Sequence, residues 1–170
     1  MGQVRLWLGI FALIALLGGC RESGKDDYLA LNGKVFIFNY RVATATYVVT
    51  FAIVRPVPEG SMVVAVFDNP NGGEPFRVEE KVWTKTGKVA LESPPLTCVA
   101  KGKPYAFSVS LLGPDKTVLQ RIGSTLTSTL DQSILPDRPL VVGPVYTPNP
   151  ELAGHPYGKL PGQYKEPCPQ

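Results

Sequence analysis

The sequence predicts an all-β protein built as an antiparallel two-sheet sandwich, and three observations carry that reading. Runs of β-branched and aromatic residues recur along the chain, each too short to be a helix. Gly, Pro, Asn and Asp punctuate them at the spacing of turns between strands. Parallel pairing would need helical crossovers, and the chain holds no convincing helix to supply them.

The elements follow in order. Val35 to Tyr40, Tyr47 to Val54 and Met62 to Phe67 read as the first strands. In Tyr47 to Val54 both alternating sets are mostly apolar, which predicts a central strand covered on both sides. Pro56 and Pro58 in the following segment stop pairing. In Phe76 to Trp83, Phe76, Val78 and Val82 share one face against Arg77, Glu79 and Lys81. Lys85 to Lys88 is a hairpin turn leading to Val89 and Leu91. Tyr105, Phe107, Val109 and Leu111 alternate with Ala106, Ser108 and Ser110, the clearest half-buried strand. Gly113 to Lys116 reverses the chain into Val118 to Ile122. Ser124 to Leu130, with Leu126 and Leu130 inward, and Leu140 to Tyr146 complete the set. Asp131 can cap one helical turn that Pro136 then stops. The expected domain is an immunoglobulin- or fibronectin-like sandwich over residues 33–146, with a barrel as its rival. The Cys-Trp-Cys spacing of true immunoglobulin domains is absent, because Trp83 has no preceding cysteine in the body.

Beyond Pro136 prolines become too dense for a helix or a central strand. Residues 147–170 therefore read as an extended, proline-rich tail, polyproline-like in places, with Tyr157 and Tyr164 interleaved. Such a tail can serve as a docking surface or simply as a solvated extension.

The N-terminus reads as a targeting signal. Arg5 precedes an uncharged apolar run, Leu6 to Leu17, which ends in Gly18-Gly19-Cys20. The run falls short of the roughly 20 residues that cross a bilayer as a helix. Leu17-Gly18-Gly19-Cys20 resembles the lipobox of bacterial lipoproteins. The resemblance covers the first twenty residues and implies cleavage between Gly19 and Cys20, with diacylglycerol on the Cys20 sulfur and fatty acyl chains such as palmitate. Residues 1–19 are then a signal peptide, and residues 20–32 a lipidated N-terminus and polar tether. One acyl chain gives only marginal attachment, whereas two or three hold a protein at the membrane. By the same resemblance, Arg21 in place of a retaining aspartate points to the outer membrane, with the body facing the periplasm.

Charge and cysteines bound the rest. Lys plus Arg number 17 against 14 for Asp plus Glu, a net +3 with no basic run longer than Lys101-Gly102-Lys103, so no nucleic-acid partner is expected. With Cys20 lipidated, Cys98 and Cys168 are an even pair in an oxidising compartment. A bridge between them would pin the C-terminus to the body; the alternative is two free thiols.

Candidate chemistry is sparse. His155, the single histidine, sits in a Gly-His-Pro turn with no nucleophile and orienting group assembled around it by sequence. Glu79 and Glu80 are strand neighbours and point to opposite faces. Glu80 falls on the otherwise apolar face and marks a strand end or bulge. Asp68 to Glu74 offers several oxygens but lacks the ligand spacing of an EF-hand, and its residues are also those of a tight connection. No catalytic residue, metal site or cofactor is assigned. The expectation is a noncatalytic binding, structural or assembly factor, held to a membrane through Cys20 and contacting another envelope protein. The alternatives are a small-molecule or glycan-binding lipoprotein, or a hydrolase with an unfamiliar site.

Overall fold

The computed structural model describes residues 26–162 and Cys168. Two antiparallel sheets pack face to face. The first has the order β1-β2-β5, with β1 at Leu29–Asn39, β2 at Thr44–Ile53 and β5 at Lys88–Glu92. The second has the order β4-β3-β6-β7, from β3 at Met62–Phe67, β4 at Phe76–Lys81, β6 at Pro104–Leu112 and β7 at Val118–Thr127. A two-strand ribbon pairs β8, Val141–Val142, with β9, Thr147–Pro148. The fourth strand pairs with the third, in the opposite sheet from the fifth, a fibronectin-like arrangement of the sandwich.

The core forms where alternating side chains from the two sheets meet. Tyr47, Val49 and Phe51 of β2 face Val63, Ala65 and Phe67 of β3, with Leu91 from β5 and Phe107, Val109 and Leu111 from β6, all buried. Tyr47 stacks on Phe67 at 5.3 Å between ring centroids, and Phe36 meets Tyr105 edge-on at 5.7 Å. Aromatic pairs in these geometries add attraction beyond their area burial. The face predicted for Tyr105 to Leu111 is buried along its whole length.

Several boundaries differ from expectation. The first strand begins at Leu29 rather than near Val35, so residues 29–32 belong to a sheet and not to the tether. A register shift between Leu31 and Gly33 interrupts the alternation, which hides the early half of the strand from a period-two reading. Leu29 is almost fully buried, and Gln120 of β7 holds it: Oε1 accepts from the Tyr28 and Leu29 amides at 2.9 and 2.8 Å, and Nε2 donates to the Leu29 carbonyl at 2.9 Å. Lys34 donates to Ser124 Oγ and the Thr125 carbonyl, so two side chains occupy the seam between the open edges of β1 and β7. Unpaired strand edges are sites of unwanted pairing, and this one is partly covered.

The two expected strands after Gly113 are one. Gly123 pairs opposite Ser108 without interrupting β7, and that strand stops at Thr127. Leu126 is inward as expected, but Leu130 lies past the strand end and is exposed. Strand β2 is buried on one face only, with Thr46, Val48, Thr50 and Ala52 half-exposed on the other. Trp83 lies beyond β4, which ends at Lys81. Leu140 to Tyr146 is not a continuous strand: Gly143 and Tyr146 adopt positive φ and fold β8 back onto β9. The one-turn helix Gln132–Ile134 does form, and the Asp131 carboxylate accepts from the Ser133 amide at 2.9 Å.

Through residue 162 the C-terminal segment is tied to the body at a few buried residues, Asn149, Leu152 and Gly158, while most of its other side chains are exposed, and it is built of turns instead of polyproline helix. Asn149 is buried, donating from Nδ2 to the Pro139 carbonyl and from its amide to Leu140 O. Lys159 donates to the carbonyls of Ser133 and Leu135 beside Asp137. Gly158 is the tightest point, with φ +67 and a virtual Cβ only 2.5 Å from Pro136 Cβ and 2.8 Å from Leu140 Cδ2. Gly158→Ala therefore combines overpacking with a left-handed alanine. We expect about 2 kcal/mol or more of destabilisation by urea unfolding, with faster proteolysis of the segment after Leu152.

Candidate functional site

The end of the sandwich where β6 begins carries a built-up polar site. Here the Cys98–Cys168 disulfide is formed, with Cα atoms 5.3 Å apart across a sequence separation of 70. It ties the C-terminus to the loop between β5 and β6. Cys98 holds a left-handed backbone, φ 66, which costs a non-glycine residue energy unless its surroundings impose it. They do so from two sides. Tyr105 Oη accepts from the Ala100 amide at 2.8 Å and donates to the Cys98 carbonyl at 3.4 Å. Gln132 Oε1 accepts from the Val99 amide at 2.9 Å, and its Nε2 donates to the Leu96 carbonyl at 2.7 Å.

Tyr105 opens β6 and bonds back to the backbone a few residues upstream. That is the geometry of the tyrosine corner of immunoglobulin-type sandwiches. Alternation alone places Tyr105 in the core and does not reveal the role of its hydroxyl. A tyrosine at the first inward position of a strand, straight after Gly102-Lys103-Pro104, was the available signal. Tyr105→Phe leaves the Ala100 amide without its acceptor. The expected loss is about 1–3 kcal/mol, read as a lower urea midpoint at unchanged slope.

Beside the disulfide lies an open cleft of about 520 Å³, lined by Asn71, Thr97, Val99, Ala100, Asp131, Gln132 and Ser133 together with both cysteines. The Asp131 carboxyl is held below the usual range, mainly by the Ser133 amide and then by the Ser133 hydroxyl, so this wall of the cleft carries negative charge at neutral pH. Gln132 spends its amide on the loop backbone. The arrangement offers hydrogen-bonding groups to a polar molecule.

The other residues singled out by sequence are dispersed. His155 lies in the docked C-terminal segment, its amide bonded to Leu152 O. Glu79 faces outward and binds Arg77 at 2.8 Å, while Glu80 pairs opposite Val63 and stays exposed at the sheet edge. The oxygens of residues 68–74 are engaged locally or with β6: Asp68 Oδ2 accepts from the Ala106 amide of β6, Asn69 Oδ1 accepts from the Asn71 amide, and the Asn69 side chain donates to Glu74 O. Among the described residues, no three His, Cys, Asp or Glu side chains gather as a metal site. Nor is any helix among them long and apolar enough to cross a membrane. Gly19 and Cys20 lie outside the described residues.

Tyr47 is a buried ionisable group in the core. Burial first, then the charge of Asp68 and the neighbouring Tyr105, pushes its phenol above its ordinary value. In the unfolded chain tyrosine ionises near pH ~10, whereas the native state keeps the proton. The contribution to stability is therefore constant below that pH and lost as pH rises beyond it. The urea midpoint should fall as pH rises above about 10, and Tyr47→Phe should reduce the fall.

No protein-family model matches the chain, and comparison with curated proteins finds no match. Among solved structures, the chain is similar to part of a family 76 glycoside hydrolase from a bovine Bacteroides thetaiotaomicron strain. There the TM-score is 0.39 at 11% identity, over 58% of this chain and 20% of that one. It is also similar to part of an endonuclease/exonuclease/phosphatase from Beutenbergia cavernae, with TM-score 0.31 at 14% identity, over 57% of this chain and 28% of that one. The chain spans less than a third of either, and likeness at this level carries no functional argument.

Proposed function

We propose that this protein is a lipid-anchored envelope protein whose sandwich engages another envelope protein without catalysis. The anchor rests on the lipobox residues Leu17-Gly18-Gly19-Cys20 behind Arg5 and an apolar run. The placement that fits them is a membrane of a bacterial envelope, with the domain on the periplasmic side of the outer membrane.

The observation that carries the binding role is the outer face of the β1-β2-β5 sheet. Val35 and Ile37 of β1 are 50% and 45% exposed, opposite Val48 and Thr46 of β2. Adjacent apolar side chains on a flat sheet face are stabilised by a covering partner. A photo-crosslinker at Ile37 in intact cells tests this. A stoichiometric protein adduct supports the role, while its absence together with a co-purifying small molecule favours the alternative. That second reading, a small polar ligand or glycan, is supported by the cleft beside Cys98 and Asp131.

A further inference from the structure

At the opposite end of the sandwich from the disulfide, the chain leaves toward its proposed anchor. Leu29 pairs with Ile53, whose amide donates to Gly87 O at 3.0 Å, and the Val54 amide donates to Tyr28 O at 2.9 Å. Met62 pairs with Lys81, and the Val82 amide donates to Ser61 O at 3.0 Å. The start of β1 and the connection from β4 to β5 therefore share one end of the molecule. Residues 81–88 in this connection carry Lys81, Trp83, Lys85 and Lys88 and no acid. Trp83 is 63% exposed, with Lys81 Nζ 5.0 Å from its ring centroid, and Val54 and Met62 add exposed apolar surface. Two acids of this end have partners of their own, Asp26 facing Arg55 and Asp115 accepting from Thr117 of its own turn, and Asp27 precedes Tyr28. Glu59 lies in the neighbouring β2–β3 connection, and Glu80 precedes Lys81.

We infer that this end is a second membrane contact, in which Trp83 sits among the lipid head groups while Lys81, Lys85 and Lys88 meet anionic phosphates. The inference rests on the lipid anchor proposed above. Its occupant is fixed by the length of chain: from Cys20 to Tyr28, eight residues reach at most about 28 Å, so this end stays beside the bilayer that carries the lipid. Tryptophan prefers the interface between hydrocarbon and water, and clustered lysines are drawn to anionic leaflets. Tethering makes the second contact effectively intramolecular. The sandwich would then stand on this end, with the Cys98–Cys168 cleft directed away from the membrane.

The test uses native fluorescence. Trp7 lies in the leader, so Trp83 is the only tryptophan after Cys20. The mature protein is reconstituted in phosphatidylcholine–phosphatidylglycerol vesicles containing brominated phosphatidylcholine, and the mass of its N-terminal peptide is recorded on the same sample. Bromolipid should quench most of the Trp83 emission and shield it from aqueous iodide, and both effects should weaken at high salt and in K81E/K85E/K88E. A lipidated Cys20 peptide with Trp83 open to iodide and untouched by bromolipid overturns the contact but leaves the anchor standing. An unmodified Cys20 peptide removes the anchor reading, and Trp83 quenching on vesicles added from outside then decides the contact alone. Shielding without bromolipid quenching, seen only in native membranes, assigns this face to a protein and overturns the inference.

Discussion

Cys168→Ser is expected to destabilise the domain by about 4 kcal/mol, the loop-closure value for a bridge of this span. The disulfide closes a sequence separation of 70. Most of that loop folds without the bridge's help, since β6 and β7 pair along their whole length and the core does not include either cysteine. The loss should therefore appear as a lower urea midpoint of a still cooperative transition, not as a missing fold. Cys98→Ser should cost about the same, because loop closure acts on the unfolded chain whichever cysteine is lost. The double variant should cost little more than either single one, as residues acting through one bond are not additive. Reductant should bring the parent protein to the same midpoint and leave both single variants unmoved. A Cys168→Ser variant as stable as the parent under oxidising conditions would contradict the bridge's role.

Cys20→Ser is the second large effect, and it bears on address rather than stability. The sulfur is the proposed site of lipid attachment, and serine offers no thiol for the transfer. The variant should retain residues 1–19 and take up no labelled fatty acid. Each buried acyl methylene contributes about 0.8 kcal/mol, and two or three chains on one residue make attachment effectively permanent. Their loss should abolish stable acyl anchoring rather than weaken it. Because Leu29 and Tyr28 are held by Gln120 inside the domain, the sandwich itself should be unaffected, with an unchanged urea midpoint. Normal acyl labelling of the variant would refute the assignment.

Much of the sandwich is legible in local pattern. The alternation from Tyr105 to Leu111 describes a one-sided strand, and β6 buries that face. Asp131 has the side chain of a cap, and it caps. Counting cysteines after assigning Cys20 leaves a pair, and that pair is bonded. The losses occur where long-range contacts decide. Leu29 enters the core because Gln120, more than 90 residues away, completes its pairing, and a bulge breaks the alternation in between. The C-terminal segment looks solvated by its proline content, yet Asn149 and Lys159 find part-buried backbone carbonyls that no period reveals. The polar cleft is equally hidden: Asn71, Thr97 and Gln132 are far apart in sequence and meet only in the folded loop that the Tyr105 hydroxyl and the disulfide flank. A face such as Val35-Ile37 is ambiguous in sequence, because an apolar outward row reads the same as a covered one.

The most direct measurement is the mass of the N-terminal peptide of the protein isolated from its own membranes. A peptide that begins at Cys20 and carries diacylglycerol, with or without a further acyl chain, is the predicted result. A chain that still begins at Met1 with an unmodified Cys20 thiol, recovered from the soluble cytoplasm, would contradict the account.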